Sequence, residues 1–147
     1  MLRVHGAQLL LIDRDQVGLQ DLLKACGKST AITAAVSSLE SPQAFADALV
    51  ASTGPLFGLV HLAGLYEPDE PNPGSRSIWG RALAVNLTSE FDLAAACLSR
   101  LVSDAPARFV FTTSVAYRRG SFDHLGYSAA KGGVAGLVSC PVIKWHK

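Results

Sequence analysis

The 147-residue chain carries 13 lysines and arginines against 12 acidic residues, which leaves a net charge of +1. Because 49% of its residues are hydrophobic and 17% are charged, it is typical of a globular domain rather than a disordered chain. We expect no nucleic-acid partner, since no basic stripe interleaved with aromatic residues is present, and no membrane span, since every apolar run is short.

Three cysteines, Cys26, Cys97 and Cys140, lie far apart in the sequence and form no pattern at zinc spacing. They indicate buried or incidental thiols in a reducing compartment, and we predict no metal site. The earliest apolar run is too short for the core of a signal peptide. The length fits one domain over residues 1–147, and we expect it to be cytoplasmic.

Short apolar strands alternate with helical segments along the chain. Strands are predicted at Ala7–Ile12, Thr30–Val36, Pro55–Gly64 and Ala107–Ser114, and helices at Asp15–Cys26, Ser41–Ser52, Arg76 to about Ser103, and from near His124 onward. A loop rich in proline and acidic residues is predicted between the third strand and the third helix. This alternation predicts an α/β fold, with a parallel sheet covered by helices on both faces.

Polar residues follow the predicted strands, where ligands bind in such sheets: Asp13, Ser37, Ser38, His61 and Thr112 to Ser114. A second pattern is Tyr127 followed by Lys131, which share one face of the predicted last helix. By itself this pair is weak evidence for a site, because its usual meaning is a solvated helix face. The pair could nevertheless act chemically. A lysine ammonium about 6 Å from a tyrosine phenol stabilises the phenolate form by roughly 3 kcal/mol at an effective dielectric of about 20.

The sequence resembles the short-chain dehydrogenase/reductase family over most of its length. Ser114 precedes Tyr127, and Asn86 precedes Ser114, at spacings typical of the catalytic set of that family. The stretch "HLAG" ends at Gly64 and is similar to a motif after the fourth strand of the family, and "LLLIDRD" around Asp13 resembles its second strand. Each match is weak alone, and their joint order is specific.

The resemblance implies a Rossmann-like, doubly wound parallel sheet and an NAD(P)-dependent oxidoreductase that interconverts an alcohol and a ketone or aldehyde. Tyr127 would exchange the proton at the substrate oxygen, and Lys131 would stabilise the phenolate and bind the nicotinamide ribose. Ser114 would polarise the carbonyl, and Asn86 would hold a water of the proton relay.

The implied cofactor is NAD or NADP, bound through Asp13, Arg14, Ser38, Leu39, Leu62, Ala63, Gly64, Tyr127 and Lys131. Asp13 at the ribose hydroxyls favours NAD, because its charge opposes a 2′-phosphate, whereas Arg14 could pair with that phosphate. The alternative interpretation is structural: Asp13 could cap the N-terminus of the next helix. His61, which replaces an amide of the family motif, is interpreted as a hydrogen-bonded polar residue rather than a catalyst.

The family also implies a homo-oligomer. The small residues of the last helix, Ala129, Ala130, Gly132, Gly133 and Gly136, would pack at a dimer interface in the family, or against the chain's own sheet in the ordinary alternative. The substrate would be a small-molecule alcohol or carbonyl compound.

Compared with that family, the chain is expected to be an incomplete domain. It begins inside the first helix, without the first strand and glycine-rich turn, and it stops before the C-terminal strands. The glycine turn would bind the cofactor pyrophosphate, so we expect the chain alone to bind NAD(P) weakly or not at all. Two hypotheses therefore stand: an oxidoreductase, or an inactive fragment that associates with full-length relatives.

Overall fold

A computed structural model describes residues 7–26, the backbone of residues 32–36, and residues 54–140. The predicted helix Ser41–Ser52 and the predicted site residues Ser38 and Leu39 lie outside these residues. The chain divides into two compact units, residues 1–53 and residues 54–147, and each is described by itself. The single domain expected from the length stays a prediction.

The first unit contains a strand, a helix and a second strand that runs parallel to the first. β1 (Leu9–Asp13) pairs with β2 (Ile32–Val36) in register along its whole length. α1 (Gln16–Ala25) connects them, and the residue before it, Asp15, accepts a hydrogen bond from the Gly18 amide at 3.0 Å through its carboxylate. Asp15 therefore caps this helix, so the alternative role of Asp13 as the cap is not what the structure shows.

The second unit is built on another parallel pair. β3 (Gly58–His61) and β4 (Arg108–Phe111) pair from Gly58 with Arg108 to His61 with Phe111. Both strands end three residues before the predicted bounds. Beyond these ends, threonine hydroxyls make hydrogen bonds in place of the backbone hydrogen bonds between the strands. Thr112 donates to the His61 carbonyl at 2.9 Å, and Thr113 donates to a carbonyl of the last helix. The predicted parallel pairing is confirmed.

The predicted long helix is interrupted and ends early. It consists of α2 (Arg76–Leu83), a π-helical turn (Ala84–Thr88) and α3 (Ser89–Leu98). π turns inside helices often mark functional sites, and this one contains Asn86.

The end of this helix at Leu98, and not near Ser103, has a long-range cause. Leu56 donates its amide to the Arg100 carbonyl at 2.7 Å and accepts from the Val102 amide at 3.0 Å. The residues after Leu98 thus extend the parallel pairing ahead of β3 instead of continuing the helix.

Two short helical pieces lie in segments predicted as loops. A single 3₁₀ turn, Pro73–Ser75, is capped by the side chain of Asn72. α4 (Ala116–Arg119) follows β4 closely and ends at Gly120, whose φ of 74° suits glycine.

α5 (Leu125–Ser139) packs against α2 and the π turn through small residues. A Cβ at Gly126 would lie 2.9 Å from the Ala82 Cβ, and one at Gly133 would lie 2.6 Å from a methyl of Leu87. Gly126 and Gly133 therefore serve packing within the chain, whereas Ala129 and Gly136 are exposed, and the implied dimer stays a prediction. In residues 7–26 and 54–140, no helix is long and apolar enough to cross a membrane.

The core of the second unit is made of side chains from α2, α3, α4 and α5: Ala82, Leu93, Ala94, Cys97, Ala116, Ala130 and Val134. None of the three cysteines forms a disulfide. Burial raises the pKa of the Cys97 thiol to about 11, as the interpretation of a buried structural thiol requires.

Candidate active site

Tyr127 and Lys131 lie one turn apart on α5, as their spacing predicts. Lys131 is 3% exposed, and its ammonium donates to the Thr112 carbonyl at 2.7 Å. Its backbone carbonyl accepts a hydrogen bond from the Thr113 hydroxyl at 2.8 Å. The segment that follows β4 is therefore fixed to α5 at Lys131, both through its side chain and through its backbone.

Ser114 is the next residue of that segment. Its hydroxyl oxygen accepts a hydrogen bond from the Ala116 amide at 3.2 Å, at the start of α4. This bond uses a lone pair of the oxygen and leaves the hydroxyl hydrogen as a donor. A half-buried hydroxyl of this kind is suited to donate to a substrate carbonyl.

Asn86 holds the segment after β3 against the π turn. Its fully buried amide donates to the carbonyls of Leu65 at 2.8 Å and Ala82 at 2.9 Å, and its oxygen accepts from the Leu65 amide at 2.9 Å. A Cβ at Gly64 would meet this oxygen at 3.0 Å, which is why the segment can approach so closely. Both hydrogens of the side-chain amide are already donated to carbonyls. A water of the proton relay could therefore bind Asn86 only by donating to one of its oxygens.

The exposed residues Leu62, Ala63 and Gly64 follow β3 directly and are positioned by this contact. In the first unit, Asp13 and Arg14 are exposed at the carboxyl end of β1, and one oxygen of Asp13 accepts from the Asp15 amide at 3.0 Å. The roles that the resemblance implies for these five residues stay predictions.

Sequence reasoning missed Asp69, which fixes the start of α5. Its carboxylate is 3% exposed and accepts hydrogen bonds from the amides of Leu125 and Gly126, the latter at 2.8 Å. A buried anion at a helix N-terminus satisfies free amides and interacts favourably with the helix dipole. The only sequence signal is an acidic residue in a proline-rich loop, and nothing local connects it to a helix 56 residues later.

Asp69→Ala is expected to lower the free energy of unfolding by about 2 kcal/mol, because two amides at the start of α5 lose a charged acceptor. Urea unfolding followed by circular dichroism measures the change. The exposed Asp104 offers a matched control, for which Asp104→Ala is expected to change stability little. Equal losses in both variants would contradict the capping role.

An aromatic cluster adjoins Tyr127 on the exposed side. The ring of Tyr66 stacks on His124 with centroids 3.7 Å apart and meets the ring of Tyr127 edge-on at 4.8 Å. The Tyr66 hydroxyl is 2.7 Å from that of Ser121. The ring of Tyr127 is thus held by a neighbouring ring, independently of its own hydroxyl.

Two more buried ionisable residues lie beside Lys131. Glu90 is fully buried, with one carboxylate oxygen 3.4 Å from the Lys131 ammonium and 3.6 Å from Nδ1 of His61. Burial, together with the smaller effect of the Lys131 ammonium, lowers the pKa of His61 to about 4, although a backbone hydrogen bond acts to raise it. Burial raises the pKa of Glu90, and Lys131 opposes that rise. Across the described ranges, no group of residues could hold a metal ion.

Comparison with known proteins assigns the chain to a family. The sequence profile of the short chain dehydrogenase family matches residues 1–145. The chain is 33% identical to a Xanthobacter autotrophicus protein named inactive 2-(S)-hydroxypropyl-CoM dehydrogenase 2, over 90% of this chain and 58% of that protein. It is 27% identical to D-threitol dehydrogenase of Mycolicibacterium smegmatis, over 95% of this chain and 55% of the relative.

Solved structures give the same result. A short-chain dehydrogenase/reductase from Brucella melitensis, described as a glucose/ribitol dehydrogenase, superposes with a TM-score of 0.84 at 26% identity, over 92% of this chain and 57% of that one. Actinorhodin polyketide ketoreductase, solved with NADPH, also gives 0.84, at 22% identity over 92% of this chain and 54% of its own, and so shows the fold alone.

The chain belongs to the short-chain dehydrogenase family, and its fold is part of the Rossmann-like α/β fold of that family. It spans little more than half the length of the relatives named here. Members of the family generally bind NAD(P), act as oxidoreductases on small molecules and form oligomers. The predicted family and fold class are confirmed.

Proposed function

We propose that this chain carries the proton-transfer site of an NAD(P)-dependent oxidoreductase that interconverts a small alcohol and the corresponding ketone or aldehyde. The observation that carries the proposal is the fixed Lys131 ammonium, held by the Thr112 carbonyl and Glu90 one helical turn from Tyr127. By the family resemblance, this cation would stabilise negative charge on the phenol oxygen of Tyr127 during proton exchange with a substrate oxygen.

In carbonyl reduction, Tyr127 would donate its proton to the substrate oxygen as negative charge develops there. Ser114 would donate its remaining hydroxyl hydrogen to the same oxygen and fix the orientation of the carbonyl. Lys131 would stabilise the phenolate that remains on Tyr127. Oxidation of an alcohol uses the same groups in reverse.

The residues present fit a nicotinamide nucleotide, which when bound supplies or accepts the hydride. The Lys131 ammonium has three hydrogens, of which the described residues accept two, so one is left for a ribose hydroxyl. Leu62–Gly64 offer an exposed backbone beside the site. In the first unit, the family resemblance would assign ribose hydroxyls to Asp13 and is compatible with a 2′-phosphate at Arg14, so both nucleotides enter the test.

The experiment measures loss of NADH or NADPH absorbance in the presence of the 147-residue chain and a panel of small ketones and aldehydes. Cofactor is used at millimolar concentration, because weak binding is expected. We expect consumption that requires both a carbonyl compound and folded protein. A folded chain that is shown by titration to be saturated with cofactor, yet turns over no substrate in either direction, would contradict the proposal.

A second candidate is an inactive member of the family that associates with full-length relatives. It is favoured by one relative that is itself named inactive, although the match spans only 58% of that protein. This candidate predicts no turnover by the wild-type chain, and co-elution with a full-length relative in size-exclusion chromatography. Turnover that depends on Tyr127 would rule it out.

A further inference from the structure

Three buried ionisable side chains from three different elements lie beside one another in the interior of the second unit. His61 ends β3, Glu90 lies in the first turn of α3, and Lys131 lies on α5; each is at most 3% exposed. The Glu90 oxygen Oε1 is 3.4 Å from Nζ of Lys131 and 3.6 Å from Nδ1 of His61. Glu90 enters the proton transfer proposed above only as a contact of Lys131, and His61 does not enter it.

The hydrogen bonds around His61 fix which ring nitrogen carries the proton. The Ser89 hydroxyl donates to the Val85 carbonyl at 2.7 Å, so its hydrogen is used. Nε2 of His61 lies 3.2 Å from the same hydroxyl oxygen and must be the donor of that bond. A neutral His61 with its proton on Nε2 has a bare Nδ1, and Nδ1 has no hydrogen-bond partner in the described part of the chain.

Glu90 therefore faces one cation and one bare nitrogen. Neutral His61 cannot donate to the carboxylate, and the second carboxylate oxygen, Oε2, has no partner among residues 7–26 and 54–140. The only charged group placed to compensate the Glu90 carboxylate there is the Lys131 ammonium. Conversely, the buried ammonium has this one carboxylate and the Thr112 carbonyl as its partners.

We propose that Glu90 is a positioning residue for Lys131: its buried carboxylate keeps the Lys131 side chain charged and holds it against the Thr112 carbonyl, one turn from Tyr127. This inference rests on the proposed function. A lysine buried without a counterion favours its neutral form, which would remove the positive charge that stabilises the phenolate. His61 completes the arrangement, because it is neutral and does not compete with Lys131 for the carboxylate.

The arrangement also gives an acid limit to activity. Among the described residues, the titratable groups that face Glu90 are His61 from β3 and Lys131 from α5, whereas Ser89 on the helix of Glu90 contacts Nε2 of His61. When Glu90 takes up a proton, the new O–H can be donated to Nδ1 of His61, and the attraction for Lys131 is lost. We therefore expect kcat to fall in acid through Glu90.

The test compares Glu90→Gln, which keeps the shape and removes the charge, with Glu90→Asp, which keeps the charge. We expect Glu90→Gln to lower kcat about 10- to 100-fold with little change in KM, and to lose the acid limb of the pH profile of kcat. Glu90→Asp is expected to recover most of kcat. The exposed Glu70 supplies the control, and Glu70→Gln is expected to behave as wild type.

A second measurement does not need turnover. NMR of ¹⁵N-labelled lysine, assigned with Lys131→Arg, reports whether Lys131 carries an ammonium at pH 8. We expect an ammonium in wild type and Glu90→Asp, and a neutral fraction at least about tenfold larger in Glu90→Gln. If Glu90→Gln does not fold, Glu90→Asp still tests the idea, because a neutral Lys131 in a variant that keeps the carboxylate would overturn it.

The two proposals fail in different ways. Absence of wild-type turnover, with a neutral fraction of Lys131 at least about tenfold larger in Glu90→Gln than in wild type, would contradict the proposed function and leave the counterion role standing. Wild-type turnover, with kcat and the lysine signal unchanged in Glu90→Gln, would overturn the positioning role and leave the function standing. Equal losses of kcat in the Gln and Asp variants would show that packing, and not charge, is what Glu90 supplies.

Discussion

Tyr127→Phe is expected to lower kcat/KM for carbonyl reduction about 10²- to 10⁴-fold, since only the phenol oxygen is lost and with it the acid that protonates the substrate. The fold should be unaffected. The Tyr127 ring is half-buried and contacts the edge of the Tyr66 ring at 4.8 Å, and a phenylalanine ring can make the same contact. Wild type and variant are compared for initial rates at saturating cofactor and for thermal unfolding.

Tyr117 provides the matched control for this loss of a hydroxyl. It is also half-buried, and its hydroxyl accepts a hydrogen bond from Arg118 at 2.8 Å, outside the proposed proton-transfer set. Tyr117→Phe is expected to keep wild-type kcat/KM. Similar rates in all three proteins would show that Tyr127 is not the proton donor.

Acidification from pH 7 to about 4 is expected to cost the folded state about 3 kcal/mol through His61 alone. Burial holds the pKa of His61 at about 4, below the ordinary value of 6.5. The unfolded chain therefore binds a proton at this residue before the folded chain does. The contribution of His61 is fully present above pH 6.5 and is lost as the pH falls through the folded pKa.

His61→Gln tests this expectation, because glutamine stays neutral over the whole range. The free energy of unfolding is measured with urea at several pH values between 7 and 4, and its pH dependence is expected to be flatter in the variant. Glu90, whose pKa is raised, acts in the opposite direction, so the contribution of His61 is the difference between wild type and variant. His124→Gln, at a partly exposed histidine, is the control; an equal flattening there would contradict the assignment.

The features predicted from the sequence are those that local patterns determine. β1 and α1 follow from one short apolar run and one helical repeat, and both were placed to within two residues. The placement of Tyr127 and Lys131 one turn apart follows from their spacing on a helix that is predicted to begin near His124, the residue that precedes it in the structure. The family resemblance supplied the candidate roles, which spacing alone could not.

The features that were missed depend on contacts between residues distant in sequence. The end of the long helix at Leu98 depends on Leu56, more than 40 residues earlier in the chain. Asp69 caps α5, which begins 56 residues later in the sequence. This role can be recognised only when the two segments are folded together. Glu90 did leave a signal: it stands four residues after Asn86 in the helix predicted from the sequence, so the spacing brings an acidic residue close to a predicted site residue.

The central claim, that Tyr127 and Lys131 form the proton-transfer site of a hydride-transferring enzyme, is tested most directly by isotope transfer. The chain is incubated with a carbonyl substrate and a reduced nicotinamide nucleotide that carries deuterium on its transferable carbon, and the alcohol is analysed by mass spectrometry. Wild type is expected to place one deuterium on the former carbonyl carbon, and Tyr127→Phe is expected to form about 10²- to 10⁴-fold less of this labelled alcohol in the same time. Alcohol formed without deuterium, or equal labelled product from both proteins, would contradict the central claim.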